Sequence, residues 1–250
     1  MEVFDVNQVI EEIFKEKLTY TIDGKEIAAS SHISKEQGEL LFELIKINRL
    51  SKTLEIGCAQ GVSSIYICSA LAERNEAKGS HEIIDPFQMS DWMGAGINAL
   101  QRSGLNNYKL IQEPSEIYLP KLIEHGSNSY DLIFVDGFHT FDHALIDCFY
   151  STKLLKVGGF LVLDDTDMPP IHKLACYLKK YPCYKMCGIL TLYPKGLLGY
   201  ITKIFGFMPL SANTRHMLPR VARAINRRPR TIVFKKISDD HRKWNWYSAF

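Results

Sequence analysis

The chain has 250 residues, 46% of them hydrophobic, enough to build one full core, so a single domain with elaborations is expected. A secretory signal is not expected at its start, because Glu2, Asp5, Glu11 and Glu12 interrupt the first stretch, and six scattered cysteines fit a reducing cytoplasm better than a disulfide framework. The formal net charge of +2 hides an asymmetry: residues 188–250 carry 12 Lys/Arg against 2 Asp/Glu, leaving 18 against 26 for residues 1–187.

In chain order, residues 7–18 have an amphipathic pattern with Val9, Ile10, Ile13 and Phe14 on one face. Residues 1–34 therefore read as an N-terminal helix and lid, with 27–31 a connector. Ser34 and Gln37 form a capping box ahead of a clearer helix carrying Leu40, Leu41, Leu44 and Ile45. A strand over 53–56, a turn from Gly57 to Gly61 and a helix over 62–71 follow. Glycines at both ends of that turn let backbone approach a ligand closely. The free N–H groups opening the helix favour a negative group such as a carboxylate. Glu55 and Ser63 flank the turn. The same pair fits a plain tight turn, and G-x-x-x-G departs from the dinucleotide fingerprint G-x-G-x-x-G, which argues against phosphate binding by that route.

The next strand, 81–84, ends in Asp85, where an acid is placed to accept hydrogen bonds from ribose hydroxyls; an exposed acid before a proline turn is the alternative. A helix over 92–103 closed by Gly104, a third strand over 108–111, and a helix capped by Ser115 and running from Glu116 come next. Residues 132–135 then form an apolar run of the kind buried on both faces of a parallel sheet, ended by Asp136. Thr140 can cap a helix bearing Leu145, Cys148, Phe149, Thr152 and Leu155, which Gly158 and Gly159 stop. A second apolar strand, 160–163, closes on Asp164 and Asp165. A right-handed crossover makes the two strands parallel, so these acids emerge at one carboxyl edge. Carboxylates gathered there repel unless something positive lies among them, and a hard divalent cation such as Mg²⁺ suits them. A helix over 171–180, a sixth strand over 184–187 and a seventh over 231–236, antiparallel to the rest, complete the sheet.

LEIG-x-x-x-G, an acid ending the second strand, VDG-x-H and GG-x-x-x-x-DD together resemble the class I S-adenosylmethionine-dependent methyltransferases. Within these the chain is most similar to the metal-dependent small-molecule O-methyltransferases of catechol and macrolide-sugar type. The resemblance covers residues 30–188 and 231–237 and implies an α/β, Rossmann-like, seven-stranded, mostly parallel sheet with helices on both faces. It makes 35–250 the methyltransferase domain. It implies that Glu55, Gly57, Gly61 and Ser63 surround the methionine end of S-adenosylmethionine, that Asp85 takes the ribose, and that Ser115 and Glu116 lie by the adenine. Asp136 borders the cofactor and, with Asp164 and Asp165, falls on the metal ligands.

His139 stands where the sugar-modifying relatives place a histidine general base and the catechol-type enzymes a lysine. A hydroxyl bound to a divalent cation becomes more acidic, and an imidazole titrating near neutrality can remove its proton. The expected reaction is methyl transfer to a hydroxyl of a small molecule, a sugar or polyketide-like one before a catechol. A metal-independent N- or O-methyltransferase and a non-catalytic, membrane-associated cofactor-binding protein are the alternatives.

The segment 188–230 departs from the family pattern. Its first half is apolar but broken by Pro194, Lys195, Gly196 and Lys203, so it should not span a bilayer. Its second half, from Arg215 to Arg230, has six arginines and no acid. It fits an element resting on an anionic membrane or gripping an anionic substrate, and equally a lid or an arm joining a homo-oligomer. Without interleaved aromatic side chains, nucleic acid is not expected. The protein is expected in the cytoplasm, at most peripheral to a membrane.

Overall fold

The computed structural model describes residues 6–73, 79–124, 126, 129–191 and 228–250. Most of the apolar and basic segment therefore lies outside the described residues, and with it the expectation for Arg215, Arg220, Arg223 and Arg227.

Seven strands form the main sheet: β3 (Lys52–Ile56), β4 (Ser80–Ile84), β5 (Tyr108–Ile111), β6 (Tyr130–Val135), β7 (Leu155–Leu163), β8 (Tyr184–Leu190) and β9 (Thr231–Lys236). Their order is β5-β4-β3-β6-β7-β9-β8. The first five are parallel, and β9 runs antiparallel between β7 and β8. Strands buried on both faces explain the near-continuous apolar runs. Leu54, Ile56, Ile133, Val135, Leu161 and Leu163 point to one side, where α5 (Ser115–Glu124), α6 (Phe141–Leu154) and α7 (Pro169–Leu178) cover them. Leu132, Phe134, Phe160 and Val162 point to the other, against α2 (Lys35–Asn48), α3 (Val62–Ala72) and α4 (Ala95–Arg102). Helix α3 is apolar on every side, and nine of its 11 residues are buried, which makes it the central helix of that layer.

Several boundaries differ from the sequence reading. The first helix is short, α1 (Val6–Glu11), and continues as a π-helical turn over Glu12–Glu16. A small hairpin, β1 (Leu18–Tyr20) with β2 (Glu26–Ala28), was not anticipated; Thr21 accepts from the Lys25 N–H and closes its turn. The helix expected to open at Trp92 begins at Ala95.

The double glycine does not stop a helix. Helix α6 ends at Leu154, and β7 starts at Leu155 and runs through both glycines. A register shift between Tyr130 and Leu132 makes room for them. A Cβ on Gly159 would stand 2.9 Å from the Asp131 carbonyl oxygen. Among the described residues no helix is long and apolar enough to cross a membrane.

Candidate active site

Pairing registers bring the chemistry together. Ile56 lies opposite both Ile84 and Val135, and Val135 opposite Leu163, so the residues that follow share one carboxyl edge. A cavity of about 750 Å³ opens there. Gly57, Ser63, Asp85, Ser115, Glu116, Asp136, His139, Asp164 and Asp165 all line it.

Gly57 has φ +89°, and a Cβ there would lie 2.1 Å from the carbonyl oxygen of Asp136. Gly61 has φ +84°, and a Cβ there would stand 2.7 Å from the carbonyl oxygen of Gly96. The two glycines let neighbouring backbones close up beneath the cavity. Gly61 itself is not among the lining residues.

Two of the expected cofactor residues, Glu55 and Asp85, also have partners within the protein. Glu55 is fully buried behind the turn: one of its oxygens takes the Ser64 hydroxyl and meets His81 Nε2 at 2.9 Å. His81 Nδ1 in turn meets Thr53 Oγ1 at 2.9 Å. Glu55 therefore braces β3 against β4 and does not reach the cavity wall. Asp85 does line the cavity, yet its oxygens already accept the N–H groups of Cys58, Ala59 and Phe87 at 3.2, 3.0 and 3.0 Å. Burial raises its pKa, and those bonds work against the rise. As placed, the carboxylate fixes the glycine turn to the end of β4.

The acid cluster lines the same cavity. Ligand atoms of Asp136, His139 and Asp165 all fall within 4.8 Å of one another. His139 Nε2 forms an ion pair with Asp165 Oδ2 and lies 3.6 Å from Asp136 Oδ1. Hydrogen bonding to Asp136 and then to Asp165 pushes the imidazole pKa up to about 10. The carboxyl of Asp136 is pushed up to about 8, first by burial and then by the charge of Asp164.

Asp164 is tied into the scaffold. Its Oδ1 accepts from Gln37 Nε2 at 2.6 Å and from Thr231 Oγ1 at 2.9 Å, while its buried Oδ2 has no hydrogen-bond donor among the described residues. Asp165 has φ +53°, a strained conformation for a residue with a side chain.

Hard oxygen donors, an orphaned buried carboxylate oxygen and a carboxyl whose pKa is raised by burial and by a neighbouring carboxylate fit a divalent cation. Asp136 and Asp165 are the residues that would hold it, with the free oxygen of Asp164 beside them.

Several lining residues escaped the sequence reading. Ser30, Ser31 and His32 cover the cavity from the N-terminal side. Gln60 holds that strap, accepting the N–H groups of Ser30 and Ser31 at 2.8 and 2.9 Å and donating to the Ala28 carbonyl. Phe138 stacks on His143 and meets Phe87 edge-on at the cavity mouth. The Thr140 side chain does not cap α6; its hydroxyl pairs with His143 Nδ1 at 2.8 Å. Arg230, counted in the sequence only as the last of a basic run, reaches the acids themselves.

The sequence family described as a methyltransferase domain matches residues 54–166, a span that runs from β3 through the acid cluster. Caffeoyl-CoA O-methyltransferase 2 of Petunia hybrida is 28% identical over 161 residues, covering 59% of this chain and 62% of its own length. Caffeoyl-CoA O-methyltransferase 3 of Nicotiana tabacum is 27% identical with the same coverage. The chain thus spans 62% of the length of these curated relatives.

Among solved structures, the O-methyltransferase from Bacillus cereus in complex with SAH superposes with a TM-score of 0.62 at 13% identity, over 92% of this chain and 90% of that one. TomG from Streptomyces achromogenes, an O-methyltransferase in complex with SAM, gives 0.56 at 21% identity over 78% and 86%. Strand order, the glycine turn at the carboxyl edge and the family match agree: residues 54–166 match a methyltransferase domain, and the fold is the one these O-methyltransferases of known structure share.

Proposed function

We propose that the protein transfers a methyl group from S-adenosylmethionine to a hydroxyl of a small molecule, a sugar or natural-product hydroxyl in the first instance. In this reading a divalent cation is held at Asp136 and Asp165. The observation that carries it is the meeting of one cavity, three carboxylates and one histidine at a single sheet edge. The names of these two curated relatives and of the Bacillus cereus and Streptomyces achromogenes proteins, all O-methyltransferases, support oxygen as the acceptor atom.

When bound, the cofactor supplies an electrophilic methyl group on a sulfonium, and the cation supplies Lewis acidity toward a hydroxyl. The chain's own part is to position and to move a proton. Gly57, Ser63 and the N-terminus of α3 form one wall, offering close backbone and N–H groups to a carboxylate. Ser115 and Glu116, with Phe87 and Phe138, line the region expected to take the adenosine end. The Ser30–His32 strap lines the cavity on its N-terminal side.

His139 is the proton acceptor. Held by Asp136 and Asp165 alone, its imidazole stays charged at neutral pH and cannot act as a base. It becomes competent once another positive charge satisfies those two carboxylates, which ties the base role to cation occupancy. A second reading has its own support: His139 and Arg230 already place positive charge among the acids, as a metal-independent transferase would require.

Transfer of tritiated methyl from labelled cofactor to a panel of sugar, polyketide and catechol hydroxyls, with and without EDTA, tests the proposal. Transfer that EDTA abolishes and Mg²⁺ restores supports it. Transfer indifferent to EDTA moves the metal-independent reading to first place, and no labelling of any hydroxyl rejects O-methylation.

A further inference from the structure

Strand β9 enters the sheet antiparallel to β7, with Leu163 paired to Ile232. Extending that register by one and two residues sets Thr231 against Asp164 and Arg230 against Asp165. The side chains follow: Thr231 Oγ1 donates to Asp164 Oδ1 at 2.9 Å, and Arg230 Nη2 pairs with Asp165 Oδ1. The same guanidinium lies 3.3 Å from Asp167 Oδ1 through Nη1 and 3.8 Å from Asp164 Oδ1 through Nε.

Its backbone is pinned on both sides. The Arg230 N–H donates to the Leu190 carbonyl at 2.7 Å, and its carbonyl accepts the Thr166 N–H at 2.9 Å. Thr166 Oγ1 also donates to the Pro229 carbonyl at 2.5 Å. Arg230 thus enters the cluster from a fixed main chain. A guanidinium keeps its charge at any pH a protein meets.

Both oxygens of Asp165 are taken, Oδ1 by Arg230 and Oδ2 by His139. A cation that ligates Asp165 can displace His139, whose place depends on a side chain alone. It then stands beside a fixed positive charge on the same carboxylate.

We propose that Arg230 is a built-in counter-cation of the carboxylate site, sharing Asp165 with the divalent metal and weakening the chain's affinity for it. The inference rests on the metal reading above. It adds that the strand entering next to β7 sets how tightly the metal is held. Arg230 keeps Asp165 and Asp167 compensated while the metal is away, and like-charge repulsion across one carboxylate makes it a competitor when the metal arrives.

The test is Mn²⁺ binding to protein saturated with S-adenosylhomocysteine, read from the loss of the free-ion electron paramagnetic resonance signal. Wild type, Arg230→Met, Arg230→Gln and Asp136→Asn are compared. Methionine retains the apolar stem, and glutamine retains a donor toward Asp165 without charge; both leave the backbone bonds of residue 230 in place. Both uncharged variants are expected to bind Mn²⁺ at least tenfold more tightly than wild type, and to show a larger Mn²⁺-induced rise in melting temperature. Equal affinity in wild type and both variants, with Asp136→Asn abolishing binding, overturns the counter-cation role and leaves the metal reading standing. Weaker binding in the variants also overturns it, making Arg230 a support for Asp165. No Mn²⁺ bound by any protein rejects both readings.

Discussion

Gly57 and Gly158 share a backbone conformation, φ +89° and +92°, but not an environment. A Cβ on Gly57 would stand 2.1 Å from the Asp136 carbonyl oxygen, whereas nothing lies within 4 Å of one on Gly158. Replacing each by alanine separates conformational strain from close approach. Forcing an L-residue into the left-handed region costs about 1–2 kcal/mol, and that is the whole cost expected for Gly158→Ala. Gly57→Ala must in addition push the end of β6 away by about an ångström, an overpacking term of about 1–3 kcal/mol. The expected totals are about 1–2 and about 2–5 kcal/mol, against a whole-domain stability of about 5–15 kcal/mol. At about 2–4 °C per kcal/mol for a chain of this size, the two melting temperatures should differ by several degrees. Urea unfolding of wild type and both variants measures this directly. Because Asp136 moves, Gly57→Ala should also weaken binding of S-adenosylhomocysteine, while Gly158→Ala leaves it near wild type. Equal destabilisation by the two substitutions would refute the close approach as the reason for glycine at 57.

His139→Ala should leave S-adenosylhomocysteine affinity near wild type by calorimetry while turnover falls about a hundredfold or more; equal turnover would remove the base assignment. Asp85→Ala frees three backbone N–H groups of the cavity wall. At about 1.5–3 kcal/mol for hydrogen bonds to a charged acceptor, cofactor affinity should fall tenfold or more, and an unchanged dissociation constant would make the carboxylate dispensable.

Asp131 offers a pH test away from the site. Burial would raise its carboxyl pKa, but Lys156 and the N–H groups of Lys52 and Ser51 outweigh burial and hold it below the usual carboxylate value. A lowered folded-state pKa adds stability above the unfolded-state value, and that stability is lost as pH falls through the folded-state value. Wild type should therefore exceed Asp131→Asn in stability at pH 7, with the gap narrowing below about pH 4. A gap constant down to pH 2 would exclude the linkage.

The parallel core of the fold was legible because strands covered on both faces leave continuous apolar runs that an acid or a glycine ends. That is why Asp136, Asp164 and Asp165 could be placed at one edge. Local pattern said less where a residue's partner lies far along the chain. Gln37 was read as half of a capping box, and it is one, but its amide also donates to Asp164 across 127 positions. Glu55 looked like a cavity residue because it precedes the glycine turn, yet β-strand alternation turns it inward to His81. Asp85 lines the cavity, but its bonds to the turn arise from the parallel pairing of β3 with β4, which sets Ile56 beside Ile84. The double glycine read as a helix stop because the bulge beside Asp131 has no sequence mark. Arg230 did have a signal: a last strand antiparallel beside β7 brings the residue before it to the acids after β7. The expectation of an antiparallel strand contained that contact once its neighbour was known.

The central claim is that the carboxylate edge binds a divalent cation in service of methyl transfer. Calorimetric titration of Mg²⁺ into protein saturated with S-adenosylhomocysteine, beside the same titration of Asp136→Asn, tests it most directly. The account predicts saturable binding to wild type that disappears in the variant. No heat from the wild type would contradict it and leave the acids as partners of His139 and Arg230 alone; equal binding by both proteins would contradict it by placing the cation away from Asp136.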